Sequence, residues 1–98
     1  MSLLQQDGFK AREIFSALAN DTRYKIVKEL YEVGPKSFTD LAKMSGIESP
    51  VLVHHLNKLL EAELVIKRNS VDPNSSQYRI YELSDYGKRF LTKVLAWK

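Results

Sequence analysis

With 98 residues, the chain fits one small domain, and a domain of that size buries only a modest fraction of its surface. Hydrophobic residues at 44% and charged residues at 28% are the proportions of an ordinary globule, and no apolar run is long enough to span a membrane. The lack of cysteine excludes disulfides, thiolate metal sites and a thiol nucleophile, while a net charge of +3 permits a polyanionic partner without requiring one.

The opening residues, Met1 to Asp7, have neither a basic start nor a signal-type apolar core, so the cytoplasm is the expected compartment. Phe9, Ile14, Phe15 and Leu18 recur at near-helical spacing and predict a first helix over Gly8 to Leu18. Asn20-Asp21-Thr22 offers a break and an N-cap. From Thr22 to Val33 the apolar residues Ile26, Val27, Leu30, Tyr31 and Val33 form one stripe, with Lys25, Lys28, Glu29 and Glu32 on the other side. Gly34-Pro35 stops this second helix. Ser37-Phe38-Thr39-Asp40 resembles a capping box and starts a third helix, which Gly46 ends after about two turns. Ser49 as N-cap and Pro50 at the first helical position start a fourth. It runs to about Ala62, with Leu52, Leu56, Leu59 and Leu60 turned inward.

Leu64 to Arg68 reads as a strand, Ser70 to Ser76 as a turn and Gln77 to Leu83 as a second strand. Ser84-Asp85 caps a last helix expected over Tyr86 to Lys98. Two short helices joined through Gly46-Ile47-Glu48 are the mark of a helix-turn-helix. The hairpin that follows carries Lys67, Arg68 and Arg79 around a polar tip, as a wing would. The expected fold is therefore mainly α with a small β-hairpin. It is a winged helix-turn-helix in the order helix-helix-helix-helix-hairpin-helix, with residues 1–98 as a single domain.

These residues resemble the ArsR-type regulators of bacteria and archaea. The likeness begins at Phe15-Ser16-Ala17-Leu18-Ala19-Asn20-Asp21-Thr22-Arg23-Tyr24-Lys25-Ile26-Val27 and continues through Thr39-Asp40-Leu41-Ala42 and His54-His55-Leu56-Asn57-Lys58-Leu59. It ends with Glu61-Ala62-Glu63-Leu64-Val65 and Tyr81-Glu82-Leu83-Ser84-Asp85-Tyr86-Gly87. The resemblance implies a DNA-binding transcriptional regulator that dimerises through its first and last helices. Two departures stand out: Val53 where the family usually has Ser, and Glu63 where it usually has Gly. The family's cysteine-based metal site is absent, and no histidine follows His55 to build the site of its last helix. The resemblance therefore carries no metal sensing here; no cofactor and no metal are expected.

The fourth helix presents positions 51, 54, 57, 58 and 61 away from its leucines. A major groove offers donors, acceptors and methyls to such a face. Asn57 suits adenine and Lys58 suits guanine or phosphate. Val53 suits a thymine methyl, and Val51 and His54 lie on the face turned toward DNA. Ser49 and Pro50 mark the amide-rich start of the helix, which suits a phosphate. An ordinary solvated face is the rival reading, and the helix-turn-helix order favours DNA. Lys36, Ser37, Lys67, Arg68, Asn74, Ser75, Ser76, Gln77 and Arg79 are candidates for backbone or minor-groove contact. Arg23 and Lys25 are weaker phosphate candidates. Neighbouring helical residues point about 100° apart, so His54 and His55 are poorly placed to chelate one ion. Phe9, Phe15, Phe90, Leu91, Val94, Leu95 and Trp97 are more apolar bulk than the core needs. The expectation is that helices at about 8–19 and 85–98 form a homodimer contact.

No phosphate-binding glycine loop, cysteine nucleophile or paired carboxylate supports an enzyme. The expected function is a sequence-specific regulator of transcription, more simply a repressor, acting as a homodimer on a near-palindromic site in double-stranded DNA. A MarR-type regulator and a winged-helix protein-interaction module are the alternatives.

Overall fold

The structure, a computed structural model, describes residues 8–71 and 77–97. In chain order its elements are α1 (Gly8–Leu18), α2 (Asp21–Glu32), β1 (Lys36–Ser37), α3 (Phe38–Ser45), α4 (Ser49–Glu61), β2 (Val65–Val71), β3 (Gln77–Leu83) and α5 (Asp85–Lys93). Among the described residues, five helices pack beside a three-stranded antiparallel sheet of order β1-β3-β2. This is the winged helix-turn-helix arrangement that the sequence predicts.

The polar breaks set the helix boundaries. The side chain of Asn20 accepts from the Arg23 amide at 3.0 Å and caps α2. Ser37 does the same for α3 through the Asp40 amide, also at 3.0 Å. Gly46 closes α3 in the left-handed region at φ 68°, where a Cβ would be strained. The end of α4 is a Schellman motif. The Leu64 amide reaches the Leu59 carbonyl at 3.2 Å and the Glu63 amide reaches that of Leu60 at 3.0 Å. This geometry places Glu63 at φ 59°, a conformation that costs an L-residue about 1 kcal/mol and glycine nothing comparable. The departure from the usual glycine at this position is thus a small local strain.

The core is one cluster. Ile14 and Ala17 of α1, Ile26, Val27 and Leu30 of α2, Leu41 of α3 and Leu52, Leu56 and Leu59 of α4 meet Leu64, Val65, Tyr81 and Leu83 of the hairpin, with Phe90 and Leu91 of α5. Burying side chains of this size stabilises by about 2 kcal/mol each, which anchors the inner face of α4 and leaves its outer face to solvent.

Several features differ from the sequence expectations, among them β2, which reaches Val71 where a turn is expected from Ser70. Strand β1 is additional: Lys36 and Ser37 pair with Tyr81 and Ile80, turning the hairpin into a three-stranded sheet. Glu48, rather than Ser49, occupies the N-cap position of α4, and its side chain makes no capping bond. The last helix ends at Lys93 with Val94 as its C-cap. The chain then turns at Ala96, φ 57°, and the Trp97 amide bonds back to the Leu91 carbonyl at 3.0 Å. Finally, Phe90 and Leu91 are completely buried in the core of the single chain. They are therefore corrected from surface contact residues to core residues.

Candidate nucleic-acid interface

The outer face of α4 collects most of the residues expected to read DNA. Ser49, Pro50, Val51, His54, Asn57 and Lys58 are all exposed, and Val53 is half-buried. Val51 is 45% exposed, so its methyl groups are accessible on this face. Lys58 lies 3.9 Å from Glu61, one turn on. Both side chains are exposed, so this pairing is weak and leaves Lys58 able to exchange partners. With no side-chain cap on α4, the amides of its first turn are left for solvent or an anion.

The flanking cations are more committed to the protein itself. Lys36 lies 3.6 Å from the Glu29 carboxylate. Ser37 uses its hydroxyl to cap α3. Arg68 forms a two-pronged ion pair with Glu82, through Nε to Oε1 at 3.0 Å and Nη2 to Oε2 at 3.3 Å. The Arg79 guanidinium sits 4.1 Å from the centre of the Phe38 ring, a cation–π contact that ties the hairpin to α3. Lys67 is exposed near the base of the wing. The expectations for Phe9, Asn74, Ser75, Ser76 and the Gln77 side chain lie outside the described residues.

Arg23 is not a solvent-facing phosphate ligand. Its Nε donates to the Ala17 carbonyl at 2.8 Å, and its Nη1 donates to His55 Nδ1 at 3.0 Å. Burial first, then the Arg23 charge, then that of His54 hold the His55 pKa below its ordinary value. The residue spacing gave no signal of this bridge.

The C-terminal aromatics also have internal partners. The Trp97 ring meets Tyr24 and Tyr31 edge-on, each at 5.4 Å between centroids, and the Tyr31 hydroxyl donates to the Trp97 carbonyl at 3.1 Å. Phe15 packs edge-on against Phe90 at 5.5 Å yet remains 44% exposed. Leu18, Val94 and Leu95 are partly buried against the core. Among the described residues, no group of three or more His, Asp or Glu could hold a metal ion, and no helix is long and apolar enough to cross a membrane.

Comparison with known proteins gives this geometry a context. Residues 20–67 match the model of a family described as bacterial regulatory protein, arsR family. A Halobacterium salinarum protein named for the arsenical resistance operon repressor ArsR is 30% identical over 82 residues, which cover 83% of this chain. The chain spans about 60% of that relative's length. Two solved structures share the fold at a TM-score of 0.72 each. One is an ArsR family transcriptional regulator, 22% identical, with 89% of each chain covered. The other is HlyU from Vibrio cholerae, 24% identical, with 93% of this chain and 97% of the other covered. The matched family is one of regulatory proteins, and both structures share this chain's fold.

Proposed function

We propose that the chain is a member of the ArsR family of bacterial regulatory proteins, whose model its residues 20–67 match, and that it binds double-stranded DNA sequence-specifically as a homodimer in the cytoplasm and represses transcription. The observation that carries this reading is the polarity of α4. One face is locked into the core by Leu52, Leu56 and Leu59, and the other offers Val51, His54, Asn57 and Lys58 to a groove. The inner anchoring fixes the pose of the outer side chains, as base-edge recognition requires.

In this reading the uncapped amides at the start of α4 receive a phosphate. Asn57 reads an adenine edge, Val51 meets a thymine methyl, and Lys58 reaches guanine or the backbone. Lys67 flanks the groove. The exposed part of Phe15, together with Leu18, Val94 and Leu95, supplies apolar surface for a second copy. Two-fold pairing would set two copies of α4 roughly 34–36 Å apart, one turn of DNA. A dimer so seated blocks access of polymerase to the site it covers.

Salt dependence separates this reading from a protein-interaction module. Duplex affinity is expected to fall linearly with the logarithm of salt concentration, with a slope of about −0.9 per phosphate neutralised. For about six contacts, the loss is about a thousandfold between roughly 50 and 200 mM salt. Fluorescence anisotropy with a labelled duplex measures it. Undetectable binding at the lowest salt would transfer the exposed face of α4 to a protein partner.

A further inference from the structure

Arg23 joins three helices through one planar cation. It stands in the first turn of α2, bonds the Ala17 carbonyl near the end of α1, and bonds the His55 ring in the middle of α4. An arginine side chain only donates and stays protonated at every accessible pH. The 3.0 Å contact between Nη1 and Nδ1 is therefore a hydrogen bond only while His55 Nδ1 carries no proton. His55 is half-buried behind the outer face of α4, whereas its neighbour His54 is exposed on that face.

We propose that Arg23 and His55 form a positioning pair that sets the pose of α4 against α1 and α2, and that the pair holds the DNA-reading pose only while the His55 ring is neutral. The proposal rests on the DNA-binding reading and adds a regulatory input to it. Neither residue touches DNA; both act through the placement of Asn57 and Lys58. Protonation of His55 removes the acceptor and sets two cations against each other across the junction of α2 and α4.

The charged surroundings favour the neutral ring. Arg23 faces His55 from α2, and His54 stands beside it on α4 with ring centroids 5.7 Å apart. Arg12 and Glu13 of α1, with Lys58 and Glu61 of α4, line the groove that Arg23 borders. The combined effect of burial, Arg23 and His54 is a His55 pKa below its ordinary 6.5. The folded state then binds fewer protons than the unfolded state, so the contribution is complete above about pH 6.5 and is lost as the pH falls toward the folded midpoint.

The test compares the wild-type chain with His55→Gln, whose amide oxygen still accepts from Arg23 but does not titrate. Affinity for a random-sequence pool of duplexes of about 40 base pairs and stability in urea are both measured from about pH 7.5 to about pH 5.5. Taking the ratio of the two proteins at each pH cancels the shared groups that do not interact with His55. The expected result is near-equal affinity at the upper pH and about fivefold tighter binding by His55→Gln at the lower one, with a shallower decline in its stability. An affinity ratio that stays constant with pH overturns the proposal, even where the stability slopes differ, because the pair would then act only in packing. Absence of duplex binding by both proteins at every pH overturns the positioning role together with the DNA reading, and the stability slopes then report the pair separately. Should His55→Gln fail to fold, Arg23→Gln removes the cation and is expected to lessen the same loss of affinity at low pH.

Discussion

Replacing Gly87 by alanine lowers the stability of the domain by about 3 kcal/mol and its unfolding midpoint by roughly 15 °C. Two effects of opposite sign compete at this position. Gly87 lies in the first turn of α5, where alanine would gain up to about 1 kcal/mol from helix propensity alone. Against that, an added Cβ would stand 2.6 Å from the Leu64 carbonyl oxygen and 3.0 Å from Ser84 Oγ. Neither neighbour can retreat cheaply. The Leu64 carbonyl accepts the Ser84 amide at 2.9 Å. Ser84 Oγ donates to the Glu63 carbonyl at 2.7 Å and accepts the Gly87 amide at 2.8 Å. The Leu64 amide is itself tied into the end of α4. The methyl group therefore pries apart the junction of α4, β2 and α5, and the overpacking outweighs the gain in propensity. Thermal unfolding followed by circular dichroism checks this. A midpoint at or above that of the wild type would show that the junction yields, and that the close approach at Gly87 is incidental.

Asn57→Ala is expected to weaken binding to the preferred duplex by about tenfold to a hundredfold while leaving the unfolding midpoint within a degree or two. Asn57 is exposed on α4, on a side away from the core leucines. Its removal costs the folded state little, so a binding loss is attributable to the contact itself. An asparagine paired to adenine through two hydrogen bonds discriminates by about 1–3 kcal/mol, so the variant should also lose its preference at one base pair of each half-site. Lys58→Ala is the comparison. As a point charge it weakens all duplexes more evenly and reduces the salt slope by about one per protomer. Competition binding with single-base variants of the site distinguishes the two. If Asn57→Ala keeps wild-type affinity and preference, base reading does not pass through this part of α4.

The helices and the hairpin were legible because each rests on local signals. The leucines of α4 recur on one face, Gly34-Pro35 stops α2, and the serines before α3 and α5 are caps whose side chains do bond three residues ahead. What the sequence concealed depends on partners far along the chain. Strand β1 is two residues without alternation and exists because β3 has an edge to pair with. Arg23 reads as a basic residue at a helix start, yet its ring partner lies 32 residues away. The hydroxyl that bonds the Trp97 carbonyl lies 66 residues away on Tyr31, so composition alone could not tell an internal aromatic clamp from a surface offered to a second copy. The same ambiguity assigned Phe90 and Leu91 to an interface when both complete the protomer's core. At the start of α4, Ser49 and Pro50 suggest a cap and a first turn. The observed shift by one residue leaves the helix start without a side-chain cap. The exposed face of α4 was readable, because exposure on an amphipathic helix follows from the position of the opposite apolar stripe.

The most direct measurement is selection of the purified protein on a pool of random duplex DNA, followed by sequencing of the bound fraction at two salt concentrations. The account predicts enrichment of an inverted repeat whose half-sites are centred about 10 base pairs apart, one helical turn, with the enrichment surviving at the higher salt better than the unselected background does. A bound fraction with no enriched sequence, lost as salt rises, would contradict it and leave the exposed face of α4 without a base-reading role.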